Sequence, residues 1–463
     1  MRFQPCPSAD SLPFVRSCSY FAFNRLRGGG YSSDIAEETP SPCEVDENNT
    51  DDDSDPRSFV PEEWIGIGLQ WTLSMPSHVK RARAHARRVP PDIVSLIIAP
   101  RSTSVYELLN RPDPNLGRST GSKGPVYSSL SPTFTLSDVQ DKGEMEIFQQ
   151  TLFSWVPHHG ILRDSFNNAW LSGAHSLSHP DAPSYRLPLW SERLVGDLQS
   201  YVKSFNLWKR SSRWLKTLES RSPLVEECET IMECIPYTGM VPGFSKAISL
   251  SISDLSLFLS DEWLNDEMIN AGAEYILRQL GPRNRQRIAN CFLVPLLQEA
   301  RRRSSVYNPR KSSILDSLLG MEALDKLYIP LHISNNHWTL LEVDVRLRTF
   351  AYADSLNTNP TPPTATTSIL EWWIDQVLPP SSSRRPFRIV HANFSMPYQR
   401  DSFSCGVVVL STMAAILLNY APWTPLTYAS ERMEWFLRMS EYLADIGDIA
   451  QVGVVLAVSV KIN

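Results

Sequence analysis

The C-terminal part of the chain, residues 243–445, predicts an α+β domain with a central mixed or antiparallel sheet and a buried helix beside it. Strand-like runs at 327–333, 337–343, 348–353 and 386–394 follow one another with only one helical run among them, 368–378, so strict strand–helix alternation is absent. The run from Cys405 to Tyr420 is apolar nearly all round, as a helix is when its whole circumference is buried. A second helical pattern, Trp263 to Leu280, comes before the strands and places Leu264, Met268, Ile269, Tyr275 and Ile276 on one face.

The start of that helix is written in its polar residues. Asn265 is the expected N-cap, and Asp266 and Glu267 complement the positive end of the helix dipole. Trp263 then falls in the approach loop. Between the two longest strand-like runs, HWTLLEV and RTFAYAD, lie Asp344, Val345, Arg346 and Leu347. A symmetric turn centred between Val345 and Arg346 pairs His337 directly with Asp354, side chains on one face at the open end of a hairpin.

The remainder of the chain is less informative. Residues 1–59 form an acidic N-terminal region expected to be disordered: Gly28, Gly29 and Gly30 open a stretch that reaches Asp51, Asp52 and Asp53 with little apolar between. Such a run serves as a solvated linker or recruits a basic partner. The first thirty residues carry Arg2, Arg16, Arg25 and Arg27, a faint transit-peptide pattern, but lack the apolar core of a secretory signal. Residues 60–242 form a second region whose role composition does not disclose. It holds the basic run KRARAHARR (Lys80 to Arg88), readable as a nuclear localisation signal, a phosphate-contacting patch or a solvated helix face. Residues 101–140, rich in Ser, Pro and Gly, read as linker. Leu194, Leu198, Val202 and Phe205, then Trp208, Trp214 and Leu218, recur at helical spacing and predict one or two amphipathic helices stopped by Pro223. The last residues, 446–463, form an atypical tail resembling a strand or an extension.

Several classes are excluded by the totals. With 463 residues and 42% hydrophobic content the chain can build a real core and more than one domain. Net charge −6 argues against bulk nucleic-acid binding. Seven cysteines, with no C-x-x-C pair, argue against a disulfide scaffold or structural zinc and fit a reducing intracellular compartment. The longest apolar run, Cys405 to Leu418, is too short to cross a bilayer.

A thiol hydrolase needs a thiolate, a histidine to generate it, a group that orients the histidine, and donors for an oxyanion. Cys405 opens the apolar helix, where unpaired N–H groups and the dipole favour an anion; a buried structural cysteine is the bland alternative. Gly406 beside it leaves room for a substrate backbone. The His337–Asp354 pair supplies base and orienter, unless it is an ordinary cross-strand polar contact. Gln399, six residues before Cys405, has an amide that can reach an oxyanion together with the Cys405 N–H. His391 and His332 are rival histidines within strand-like runs, neither followed by a well-placed acid.

Four strings in order, WLNDEMIN (from Trp263), HWTLLEVD (from His337), ADS (from Ala353) and QRDSFSCG (ending at Gly406), resemble the ubiquitin-like-protein-specific (SUMO) protease family. The resemblance covers about 200 residues, under half of the chain. It implies a papain-like cysteine protease fold. It also implies Cys405 as nucleophile, His337 as general base and acid, Asp354 as its orienting partner and Gln399 as oxyanion donor. Trp263 and Trp338 would close over the modifier's C-terminal Gly-Gly, and Asp266 would help bind substrate or serve the helix start. The implied reaction is hydrolysis after that diglycine, in deconjugation or precursor maturation, with no metal or organic cofactor. Its partners are SUMO or another ubiquitin-like protein, for a monomer without membrane or nucleic-acid partners, located in the nucleus or cytoplasm. Ser404 departs from the family, many members having Asp there. A catalytically silent modifier-binding module, or an acetyltransferase of related fold, are the other classes compatible with these residues.

Overall fold

The computed structural model describes residues 76–114, 124–218, 222–281, 284–303, 306, 324–377 and 385–443. The expected acidic region 1–59, with its faint transit pattern, and the tail 446–463 lie outside the described residues.

The N-terminal region is helical around a small sheet. Its elements are α1 (Ser77–Ala86), α2 (Pro91–Ile97), α3 (Val105–Leu109), β1 (Val126–Ser128), α4 (Lys142–Trp155), α5 (His159–Leu171), β2 (Ser176–His179), β3 (Ala182–Pro188), α6 (Ser191–Thr217) and α7 (Pro223–Cys234). The three strands form an antiparallel sheet. Part of 101–140 is therefore ordered rather than linker: α3 is closed by a capping box in which the Ser104 hydroxyl and the Glu107 carboxylate exchange bonds with each other's backbone N–H. The periodicity seen from Trp190 onward is one continuous helix, α6. Pro223 does not stop it; proline sits in the first turn of α7, where its missing N–H has no partner to lose.

The basic run lies largely in α1 and is partly inward-facing. Arg87 makes a forked ion pair with the fully buried Glu192 of α6, and Arg83 donates to Asn167 of α5 at 2.6 Å. Two of its cations are thus committed to packing.

The C-terminal elements are α8 (Asp266–Leu280), β4 (Gln286–Ile288), α9 (Leu293–Arg303), β5 (Lys326–Ile333), β6 (His337–Asp344), β7 (Thr349–Ala353), α10 (Thr364–Val377), β8 (Arg388–Val390), α11 (Cys405–Leu418) and α12 (Tyr428–Ser440). The sheet order is β4-β5-β6-β7-β8, with antiparallel pairs in the centre and parallel pairs at both edges. This is the mixed sheet of the α+β expectation, with Cys405 as the first residue of the buried helix α11. The run expected as a strand at 386–394 is a strand only over Arg388–Val390, an exposed edge.

Both faces of this sheet are covered, which explains why β6 is buried at every position after His337. Leu327, Ile329, Leu331, Leu341 and Val343 pack with Leu293, Leu297, Ile369, Leu370 and Trp373 of α9 and α10. Tyr328, Trp338 and Leu340, at alternate positions, join the other core with α8, α11 and α12. There α8 and α11 approach closely: a Cβ at Gly272 would lie 2.6 Å from Leu410 Cδ2.

The hairpin register differs from the symmetric-turn expectation. Leu340 faces Ala353 and Asp344 faces Thr349, so the loop is Val345 to Arg348 and the pairing is offset by two residues. Two local features set this loop: Arg348 adopts a left-handed φ of 52°, and the Leu347 N–H donates to Asp344 Oδ1 at 2.7 Å. An offset of two keeps every side chain on its face. His337 and Asp354 therefore meet diagonally rather than head-on.

The N-terminal helices and the sheet domain share one hydrophobic core. Trp208 of α6 is fully buried, donates to the Tyr237 carbonyl at 2.9 Å and meets Phe436 of α12 edge to face at 6.4 Å. Farther along α6, the Ser211 hydroxyl donates to the Ser256 carbonyl and Trp214 Nε1 to Asp261 Oδ1 at 2.9 Å, while Arg210 pairs with Glu262. Helix α6 thus grips the stretch leading to Trp263. Truncating Trp208 to Ala is expected to cost about 3–5 kcal/mol, the range for a buried aromatic. Urea unfolding should show one cooperative transition shifted to lower denaturant; two separate transitions would mean the halves fold independently.

Candidate active site

Helix α11 owes its position to its composition. Val407, Val408, Val409, Leu410 and Met413 are all fully buried, so the helix is wrapped by α8, α12 and β6 and its N-terminus is held at the sheet's open end. Cys405, the first residue, is 2% exposed. Gly406 serves this packing. A Cβ there would stand 3.0 Å from Leu264 Cβ and 3.3 Å from Ile269 Cδ1, so the glycine lets the helix start pack closely on both.

The thiol faces β6. The backbone N–H groups of Trp338, the residue that follows His337, and of Gly406 lie near enough to the thiol to favour its ionised form. Burial pushes the thiol's pKa up; those two N–H donors and the cationic Arg432 pull it down, and Asp401 adds to the rise. His337 Nε2–H donates to Asp354 Oδ1 at 2.7 Å, with both side chains largely covered. The same carboxylate oxygen also accepts from the Leu356 N–H at 2.8 Å, which fixes its orientation. With Nε2 holding its proton for Asp354, Nδ1 is the ring nitrogen left to exchange one.

Gln399 is 1% exposed and its amide orientation is determined by its neighbours. Nε2 donates to the Asp401 carbonyl at 2.8 Å and Oε1 accepts from the Ser355 hydroxyl at 2.6 Å. A carbonyl can only accept, so the nitrogen must lie on that side, with its second hydrogen left over. The Gln399 backbone N–H also donates to Ser355 O at 2.9 Å. Asp401 in turn caps the turn into α11: Oδ1 accepts from the N–H groups of Phe403 and Ser404, and Oδ2 from the Ser404 hydroxyl at 2.8 Å. Ser404, just before Cys405, thus draws on a carboxylate three residues upstream.

The two tryptophans differ. Trp263 is 44% exposed, with its Nε1 donating to the Ser402 carbonyl at 2.5 Å, across the gap between the approach loop and the loop before Cys405. Trp338 is 2% exposed, donates to the Leu264 carbonyl at 3.0 Å and is stacked on His332 at 4.3 Å. Burial lowers the pKa of His332, with His337 acting in the same direction, which favours the neutral ring against the indole. Asn265 caps α8, its side chain accepting from the Met268 N–H at 3.0 Å. Asp266, next to it, has its carboxyl pushed up by burial and stands 3.9 Å from His332 Nδ1. His391 is exposed just beyond β8. Among the described residues, no group of three or more His, Cys, Asp or Glu is placed to hold a metal ion, and no helix is long and apolar enough to cross a membrane.

Ser355, Asp401 and Arg432 were not picked out as site residues from the sequence. Asp401 carried a readable signal, an Asp three residues before a Ser at a helix start. Arg432 carried none, being one arginine in a helix.

A thiol at a helix N-terminus beside a histidine–carboxylate pair defines the class as a candidate thiol hydrolase. Residues 262–436 match the model of the Ulp1 protease family, C-terminal catalytic domain. The family reached from the four strings and the family whose model matches residues 262–436 are the same. The chain is similar to Ubiquitin-like-specific protease 1A of Arabidopsis thaliana, 25% identical over 183 residues that make up 38% of this chain and 35% of that protein. It is also similar to Sentrin-specific protease 3 of Mus musculus, 30% identical over 176 residues, 37% of this chain and 27% of that protein. The match thus spans about a third of these relatives' length. A solved structure of the C-terminal Ulp1 protease domain in complex with Smt3, the yeast orthologue of SUMO, aligns with a TM-score of 0.35 at 19% identity, covering 51% of this chain and 95% of that one.

Because burial raises the Cys405 thiol, its alkylation by iodoacetamide is expected to go on rising with pH past about 8.5, the ordinary thiol value. Peptide-resolved mass spectrometry over a pH series would check this. A plateau already reached at neutral pH would mean that pairing with the imidazolium outweighs burial.

Proposed function

We propose that this protein is a thiol-dependent hydrolase that cleaves after the C-terminal Gly-Gly of a ubiquitin-like modifier, SUMO before others. The observation that carries the reading is the 2.7 Å His337–Asp354 hydrogen bond at the end of the strand that packs against α11, the helix opened by Cys405. The acting unit is residues 243–445, braced by α6 of the preceding region.

In this reading His337 Nδ1 takes the proton from Cys405 Sγ, and the thiolate attacks the carbonyl carbon of the terminal glycine. The C–S bond forms and the carbonyl oxygen becomes an oxyanion, met by the spare Nε2–H of Gln399 and the backbone N–H of Cys405. Collapse breaks the C–N bond, and the leaving amine takes the proton held by His337. Water then attacks the thioester, giving a proton to His337. The C–S bond breaks, the modifier leaves as a carboxylic acid and the thiol is restored. Asp354 stays ionised and supports the imidazolium throughout.

Trp263 and Trp338 are assigned to the diglycine and Asp266 to substrate binding or the start of α8. The amine lost can be a lysine side chain, in deconjugation, or a peptide nitrogen, in maturation. A nuclear location is part of the proposal and rests on the basic run and on the substrate class; Arg83 and Arg87 already serve packing, which leaves the exposed members of the run for that role.

Cys405→Ala should abolish turnover, and Asp354→Asn should lower kcat by about 10⁴, as loss of the orienting carboxylate does in related triads. Trp338→Ala should lower stability as well as activity, by about 3–5 kcal/mol for so buried an indole. The deciding assay exposes the whole protein to SUMO, ubiquitin and related modifiers bearing a C-terminal electrophile, with Cys405→Ala as control. One modifier forming an adduct that the variant loses supports the proposal. A folded protein that reacts with none overturns it in favour of a binding module or an acetyl transferase.

A further inference from the structure

Arg432, on α12, is the most completely buried cation near the site, at 0% exposure. A buried charge is ordinarily paired with a carboxylate, because desolvation costs several kcal/mol per ion. Here the guanidinium meets three backbone carbonyls instead. Nη1 donates to Leu257 O at 2.9 Å, and Nη2 donates to Glu262 O at 3.0 Å and Phe403 O at 3.1 Å. Its Nε is buried without a partner among the described residues. It also lies 5.4 Å from the centre of the Phe403 ring.

The carbonyls it chooses are informative. Glu262 immediately precedes Trp263, and Phe403 stands two residues before Cys405. One nitrogen, Nη2, therefore joins the loop of the exposed tryptophan to the loop of the thiol, while Nη1 ties both to Leu257 O. The direct bond between these loops, Trp263 Nε1–H to Ser402 O, lies alongside it. The ionisable groups facing Arg432 are Asp261, Asp401, Cys405 and Tyr428. Burial lowers its pKa to about 10, which leaves it charged at neutral pH.

We propose that Arg432 is a positioning residue: its guanidinium sets the spacing between the Trp263 loop and the nucleophile loop, and through that spacing the readiness of the Cys405 thiol. The proposal rests on Cys405 being the nucleophile. The guanidinium suits the task because its donors diverge in a rigid plane and reach carbonyls on two loops at once. A lysine ammonium is a compact point charge with no second arm to hold Leu257 O at the same time and no rigid plane to fix the spacing. The positive field at the sulfur adds to the effect, since Arg432 opposes the rise that burial imposes on the thiol.

The test uses the full chain as wild type, Arg432→Met and Arg432→Lys. Folding is read by thermal unfolding, and thiol state by iodoacetamide labelling at Cys405, resolved by mass spectrometry across pH. Both variants should move the labelling midpoint to higher pH, Met further than Lys, and lower kcat by about tenfold or more with a smaller change in KM. A folded variant with the wild-type midpoint overturns the proposal, as does a drop in melting temperature with labelling unchanged, the mark of a merely structural residue. Should Arg432→Met not fold, Arg432→Lys decides alone, because it keeps the charge while losing the fork. Labelling needs no modifier, so failure of every modifier probe would remove the proposed function and still leave the Arg432 comparison readable.

Discussion

The seating of α11 between α8, α12 and β6 governs the remaining geometry. A helix of fourteen residues with almost no polar surface has no stable place except inside, and its burial removes a large apolar area from water. Gly272 lets α8 close on Leu410, and Gly406 lets the helix start close on Leu264 and Ile269. With both ends of that contact fixed, the first residue of α11 has one position relative to the first residues of β6. The thiol is therefore placed by packing, and the polar groups around it are arranged afterwards.

Those polar groups act on the sulfur in opposite senses. Burial and the Asp401 carboxylate favour the neutral thiol, while two backbone N–H donors and Arg432 favour the thiolate. Asp401 has other duties: it caps the turn before α11, and its carbonyl holds the Gln399 amide in place together with Ser355. The cost of a carboxylate near the thiol thus accompanies the ordering of the Gln399 amide. A buried arginine offsets that carboxylate's field without forming an ion pair with it, using backbone carbonyls as acceptors.

The region before residue 243 is part of the same molecule in an energetic sense. Trp208 and Trp214 of α6 reach Phe436 and Asp261, and the core is continuous across the boundary drawn from composition. Its helical periodicity was legible from Leu194 to Leu218, whereas its contacts were not, because an apolar stripe states that something covers it and not what. The small sheet of β1, β2 and β3 escaped notice because its strands are short and lie among Ser and Pro residues that also make loops.

Local pattern was enough to determine the α+β class, the N-cap at Asn265, the burial of α11 and the residue types of the candidate site, since each depends on neighbours within a few positions. His337 and Asp354 were paired from strand symmetry, and their meeting at 2.7 Å survives a register shift of two because side chains alternate with period two. The register itself was decided by the left-handed Arg348 and the Asp344 turn, which no period reveals. Arg432 was decided only by tertiary structure. Its role depends on carbonyls at residues 257, 262 and 403, brought together by the packing of three separate segments, and a backbone carbonyl leaves no mark in the sequence.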